Sequence, residues 1–188
     1  MSSETEDADR NLEDYRDYLR LLAQLQLDQV LWGKIDVSGV VQQTMLEAYK
    51  ASPKCQIQNA DQMAAWLRRI LANNLADEIR KMKAGKRDVS RERSLEAAMQ
   101  QSSCRLEAWL VADQSSPSLH ARRHEQSILV SAALARLPET QREALLLRHF
   151  HGRSLVQIAE HLGRSHAAVA GLLKRGLQQL RDQLRDSE

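Results

Sequence analysis

The chain has 188 residues, of which 43% are hydrophobic and 28% charged, with a formal net charge of +2. This composition is ordinary for a soluble globular protein and allows one medium domain or two small ones. No apolar run approaches the roughly 18 residues of a membrane span, and the acidic start "MSSETEDADRNLED" carries no apolar signal core, so a cytoplasmic product is expected.

Only 4% of residues are aromatic and only three are proline. The periodic segments are rich in Leu, Ala, Gln, Glu and Arg, all good helix formers, and no alternating Val/Ile run occurs; the fold is predicted to be all-α. Cys55 and Cys104 stand alone in unlike contexts, which argues against a disulfide framework and against a two-cysteine metal site. Charge is unevenly spread. Residues 1–17 carry seven acids and two bases, net −5; residues 68–93 carry nine bases and four acids, net +5; residues 164–185 carry five bases and one acid, net +4. Two basic stretches on helical segments suit contact with a polyanion at two places. The alternative for either stretch alone is a solvated helix face.

The first predicted helix, Asn11 to Leu31, carries Leu12, Tyr15, Leu19, Leu22, Ala23, Leu25 and Gln26, its apolar members mostly three and four apart, and Gly33 breaks it. In "DVSGVVQQTMLEAYKA" Asp36 or Ser38 is the expected cap. Val41, Met45, Ala48 and Tyr49 make the buried stripe there, and Gln42, Gln43 and Glu47 face elsewhere. "SPKCQIQNAD" has loop composition. Asp61 is expected to cap "QMAAWLRRILANNLADEIRKMK", with Trp66, Ile70 and Leu75 inward and Arg68, Arg69, Asn73, Asn74, Arg80, Lys81 and Lys83 polar. These segments make one small helical domain, 10–83.

Residues 84–124 read chiefly as a linker with a short helix near Leu95 to Ala98. Leu106, Trp109 and Leu110 are too apolar for a plain spacer, so part of it is expected to dock. The last domain, 125–186, opens with a helix built on Ile128, Ala132, Leu134 and Ala135. Pro138 begins the next, with Glu139 and Glu143 behind it and Gly152 as its stop. Ser154 and Gln157 have capping-box spacing; Leu155, Ile158, Ala159 and Leu162 face inward, and Gly163 ends that helix. Ser165 caps the final helix, with Val169, Leu172, Leu173, Leu177, Leu180 and Leu184 as its apolar series.

Two short helices around a glycine turn, the first with "IA" at its core contact, form the helix-turn-helix pattern. Ala159 is small because the second helix crosses close over it. The final helix would enter a major groove, with Ser165 and His166 at its phosphate-favouring N-terminus and Ala167, Ala170, Gly171, Lys174 and Arg175 outward. The small residues permit close approach and methyl contacts, but no bidentate base pairing, so discrimination falls to Lys174, Arg175, His166 and DNA shape. The alternative is an ordinary αα-hairpin. In "WLRRILANNLADEIRK", an aromatic and two amides beside cations suit single-stranded nucleic acid, although Trp66 reads rather as a core residue by its place in the apolar stripe. Asn73 and Asn74 are poor interior-helix residues, which points to an exposed site or a weak cap. His149 and His151 diverge on a helix, no catalytic motif occurs, and neither an enzyme nor a cofactor is expected.

Through these residues the whole chain resembles a sigma factor of bacterial RNA polymerase in the sigma-70 family, of the small two-domain extracytoplasmic-function class. "DVSGVVQQTMLEAY" and "AAWLRRILANNLADEIRK" are similar to region 2, and "LPETQREALLLRHFHGRSLVQIAEHLGRSHAAVAGLLKRGLQQLR" to region 4. The resemblance implies promoter-specific initiation by a subunit of core polymerase. Region 2 would hold the clamp helices of the largest subunit through Asp36, Gln42, Gln43 and Glu47. It would capture the melted minus-ten strand through Asn73, Asn74, Arg69, Arg80 and Lys81 and the loop 52–61. Region 4 would read the minus-thirty-five duplex through Arg164, Ser165, His166, Ala167, Ala170, Gly171, Lys174 and Arg175, and dock on the flap of the second-largest subunit. An anti-sigma protein is a further candidate partner. The chain departs from the family pattern at Gly39 and Gln43, where acids are common, at Met63, where an aromatic is common, and at Ala170 and Gly171, where polar or basic residues are frequent. A self-sufficient helix-turn-helix regulator is the runner-up, and a protein-interaction adaptor, which leaves the basic stretches unexplained, is the third class.

Overall fold

The computed structural model describes residues 12–27, 34–51, 60–82, 94–102, 104 and 123–186. Among them there are helices and no strand, so the all-α expectation holds. In chain order the helices are α1 (Arg16–Gln26), α2 (Val37–Ala51), α3 (Ala60–Met82), α4 (Arg123–Arg136), α5 (Glu139–His149), α6 (Leu155–Leu162) and α7 (His166–Arg185). A further helical stretch covers 94–102, where the sequence predicts one. The chain divides into two units, 1–128 and 129–188, and the division falls inside α4.

In the first unit, α1, α2 and α3 pack on one another. α1 is shorter than the predicted span. A turn at 14–15 leads into it through a Tyr15 N–H bond to the Leu12 carbonyl, 3.0 Å, and Leu27 ends it in extended backbone. Gly33 lies outside the described residues. Leu12, Tyr15, Leu19, Leu22 and Ala23 are buried as their spacing requires. Asp36, not Ser38, caps α2: its Oδ1 accepts the Gly39 N–H at 3.0 Å. Val41, Met45 and Ala48 face inward, but Tyr49 is 50% exposed. Its phenol edge falls one position past the stripe that Thr44 and Ala48 complete.

α3 corrects the sequence reading most. It begins at Ala60, so Asp61 lies within its first turn and does not precede it. Its buried face is Ala64, Leu67, Leu71, Ala72, Leu75, Ala76 and Ile79. Trp66 and Ile70 are only half-buried. The alanines let α3 come close to its neighbours, and a stripe drawn through the largest apolar residues misses that face. Arg68, counted with the polar residues of this helix, is only 8% exposed and donates from Nη1 to the Tyr18 hydroxyl at 2.8 Å. Tyr18 in turn meets Tyr15 edge-on, with ring centroids 6.3 Å apart. Met99 in the stretch 94–102 is fully buried, and Gln26 Nε2 donates to Ser102 Oγ at 3.0 Å. Leu106, Trp109 and Leu110 lie outside the described residues.

The second unit is built by α5, α6 and α7, each packed on the other two. Val130, Ala133 and Leu134 of α4 are buried, whereas the predicted Ile128, Ala132 and Ala135 are half-buried. Arg142 Nη1 on α5 donates to the Ala135 carbonyl, 3.1 Å. Pro138 stands at the N-cap of α5, one position before the helix, and its carbonyl accepts from the Gln141 and Arg142 N–H groups. The core is Ala144, Leu145, Ile158, Ala159, Val169 and Leu180. Leu155 is 38% exposed, and Leu162, Leu172, Leu173, Leu177 and Leu184 are half-buried. Three short helices provide too little partner surface to cover every apolar position.

Candidate nucleic-acid interface

Local chemistry fixes the turn between α6 and α7. The Ser154 Oγ accepts the Gln157 N–H at 3.3 Å, and the Gln157 Oε1 accepts the Ser154 N–H at 3.0 Å, a complete capping box. At its other end α6 stops on Gly163, which is left-handed at φ 59°. The Arg164 N–H reaches back to the Ala159 carbonyl at 3.0 Å and the Gly163 N–H to the Glu160 carbonyl at 3.4 Å. This is the paired closure of a Schellman motif, and it needs the residue without a Cβ. Ser165 then caps α7 by accepting the Ala168 N–H at 3.2 Å. Three residues, Gly163 to Ser165, therefore separate the two helices.

Two contacts seat α7. Ala159 and Val169 are buried where α6 and α7 meet. Gly176 is buried against α5: a Cβ there would stand 3.1 Å from Leu145 Cδ1 and 3.4 Å from Gln141 Cβ. The sequence reading passed over Gly176, yet a glycine in the middle of "LLKRGLQQL" costs about 1 kcal/mol relative to alanine. That cost was the available signal of a close crossing. A third tie joins α6 to α5, where His161 Nε2 lies 2.7 Å from Glu143 Oε1, both largely shielded from solvent.

The face of α7 turned to solvent holds the residues predicted for duplex contact. Arg164, Ser165, His166, Ala167, Ala170, Lys174 and Arg175 are exposed, and Gly171 is half-buried. Gly171 owes its partial cover to Arg175, whose guanidinium folds back along the helix; a Cβ on Gly171 would lie 3.1 Å from its Nη1. The bare front of α7 thus doubles as the bed for a cation from one turn further on. The helix N-terminus also offers partly unpaired N–H groups to phosphate.

On α3, Arg69, Asn73 and Lys81 are exposed; Arg69 and Asn73, four apart, share one side of the helix, and Lys81 lies about 80° further round. Trp66 lies two turns before Asn73. Arg80 pairs with Asp77, and Lys81 Nζ lies 3.1 Å from Glu78 Oε2, exposed pairs that a polyanion could compete for. Asn74 is half-buried and does not join these exposed residues. Its side chain turns to α2 and donates to Thr44 Oγ1 at 3.2 Å and Glu47 Oε2 at 3.3 Å. The loop 52–59 lies outside the described residues. On α2, Asp36, Gln42 and Gln43 are exposed and Glu47 is half-buried.

Residues 127–180 match the family model for sigma-70, region 4. That span runs from within α4 to within α7 and takes in the whole helix-turn-helix, less than a third of the chain. A sigma factor, or a related DNA-binding protein of transcription, is what the match supports. Comparison with curated proteins gives no match. Among the described residues, no helix is long and apolar enough to cross a membrane.

Proposed function

We propose that the chain is a sigma factor of the extracytoplasmic-function class: a cytoplasmic, non-enzymatic subunit that binds core RNA polymerase and directs promoter-specific initiation. The observation that carries this reading is the capped, glycine-turned helix pair of 154–185, which presents an exposed cationic helix face within a segment similar to sigma-70, region 4. In this reading α7 approaches the minus-thirty-five duplex closely through Ala167 and Ala170. His166, Lys174 and Arg175 supply phosphate and base-edge contacts. The exposed Arg69, Asn73 and Lys81 meet the displaced minus-ten strand, cations on phosphates and the amide on a base edge. No bond is made or broken; captured single-stranded bases favour the melted state by mass action. The exposed face of α2, with Gln42, Gln43 and Glu47, meets the polymerase clamp. An anti-sigma partner would act by covering one of these faces.

Binding to a promoter duplex with and without core polymerase separates this reading from a self-sufficient regulator. Specific retention of the promoter only when core is present is the expected result. Tight specific binding by the chain alone, unchanged by core, would mean that α7 serves an independent regulator.

A further inference from the structure

Asn74 and Asn73 are adjacent amides on one helix, but they face different elements. Asn73 is exposed. Asn74 Nδ2 makes two bonds across to α2, 3.2 Å to Thr44 Oγ1 and 3.3 Å to Glu47 Oε2. A carboxylate can only accept, so the nitrogen end of the Asn74 amide must face Glu47, and its two hydrogens match the two acceptors. Thr44 is fully buried and passes its own hydrogen to the Val40 carbonyl at 2.8 Å. The other Glu47 oxygen, Oε1, accepts from Gln43 Nε2 at 2.7 Å.

Glu47 is thus gripped at both oxygens by neutral amides, and it makes no ion pair among the described residues. Its charge is held in place without being neutralised. Each oxygen keeps one acceptor direction open, and the carboxylate sits half-buried beside exposed Gln43. A fixed acceptor loses less side-chain freedom when a donor arrives, so more of the contact survives as affinity. A planar guanidinium, which donates two parallel N–H groups, matches a carboxylate presented in this way.

We propose that Asn74 is a positioning residue for partner binding. From α3 it orients the Glu47 carboxylate on α2 to receive an arginine of the protein that docks there. This rests on the reading that α2 meets core polymerase. It moves Asn74 from the DNA face to the polymerase face and leaves Asn73 on the DNA face.

The test is a double-mutant cycle on full-length chain and core polymerase, read as core affinity at several salt concentrations, with Asn74→Ala, Glu47→Gln and the pair. Wild-type binding to core, followed by promoter-specific initiation, is measured first; a chain that binds no core overturns both the sigma reading and this one. Where core binds, Asn74→Ala should weaken affinity roughly fivefold, the worth of one oriented hydrogen bond. The loss should shrink with salt and nearly vanish in the Glu47→Gln background. Gln at 47 still accepts from Asn74, so a merely structural tie would persist in that background, and equal losses in both backgrounds overturn the proposal while sparing the sigma reading. Unchanged core affinity with weaker capture of forked promoter DNA by the assembled holoenzyme also overturns it, because Asn74 would then act on DNA beside Asn73.

Discussion

At Gly171 a missing side chain positions a charged one. The guanidinium of Arg175 occupies the space a methyl group would crowd, which brings it one turn closer to the leading end of α7. Arg175→Ala should cost about 1–3 kcal/mol of promoter binding if the residue meets a base, or lower the salt slope by about one if it meets a phosphate. The dependence of log K on log salt decides which. Gly171→Ala should reproduce part of that loss while raising helix stability, and should have no effect on binding once Arg175 is gone. On α3, Asn73→Ala should impair melting more than closed-complex binding. Permanganate reactivity of the melted strand, set against duplex retention, reads the two steps separately. Tyr18→Phe leaves the Arg68 guanidinium buried without the phenol oxygen that accepts from it, and should cost about 1–3 kcal/mol of folding stability. Chemical denaturation of the whole chain, read in the first unit by the fluorescence of its three tryptophans, Trp32, Trp66 and Trp109, would show it.

At the scale of single elements, the helix-turn-helix was almost fully legible in the sequence. Capping boxes, Schellman closures and left-handed glycines are made by residues within six positions of one another, so Ser154, Gln157, Gly163 and Ser165 could be placed from spacing alone. Gly163→Ala should cost about 1–2 kcal/mol because any Cβ is strained at its φ. Ser154→Ala should cost about 1 kcal/mol by loss of the cap. Differential unfolding of the second unit measures both. What was not legible depends on partners distant in sequence. The inward face of α3 is chosen by how closely its alanines let α1 and α2 approach, so Trp66 and Ile70 gave way to Ala64, Leu67 and Leu71. Arg68 finds its acceptor fifty residues away on Tyr18. Asn74 was assigned by type alongside Asn73, although a step of about 100° around the helix turns it to α2. Only the fold says which of two adjacent amides looks outward.

At the scale of the whole molecule, two helical units each carry a helix with exposed cations, Arg69 and Lys81 on α3 in the first and Lys174 and Arg175 on α7 in the second. Nucleic acid gripped at two places gains affinity from the second contact without new chemistry, provided that both can engage together. A modest face on each unit then suffices, and the Ala/Gly front of α7 fits a helix that does not carry specificity alone. Each phosphate contact also releases counterions, so joint engagement should make promoter retention strongly salt-dependent. Much of the sigma reading therefore turns on whether this chain, given core polymerase, chooses start sites. The most direct measurement is transcription from a promoter library by core polymerase with and without the chain, with the transcripts sequenced. The account predicts new start sites that share two spaced elements and disappear when the chain is omitted. Transcripts whose start sites are the same with and without the chain would contradict it.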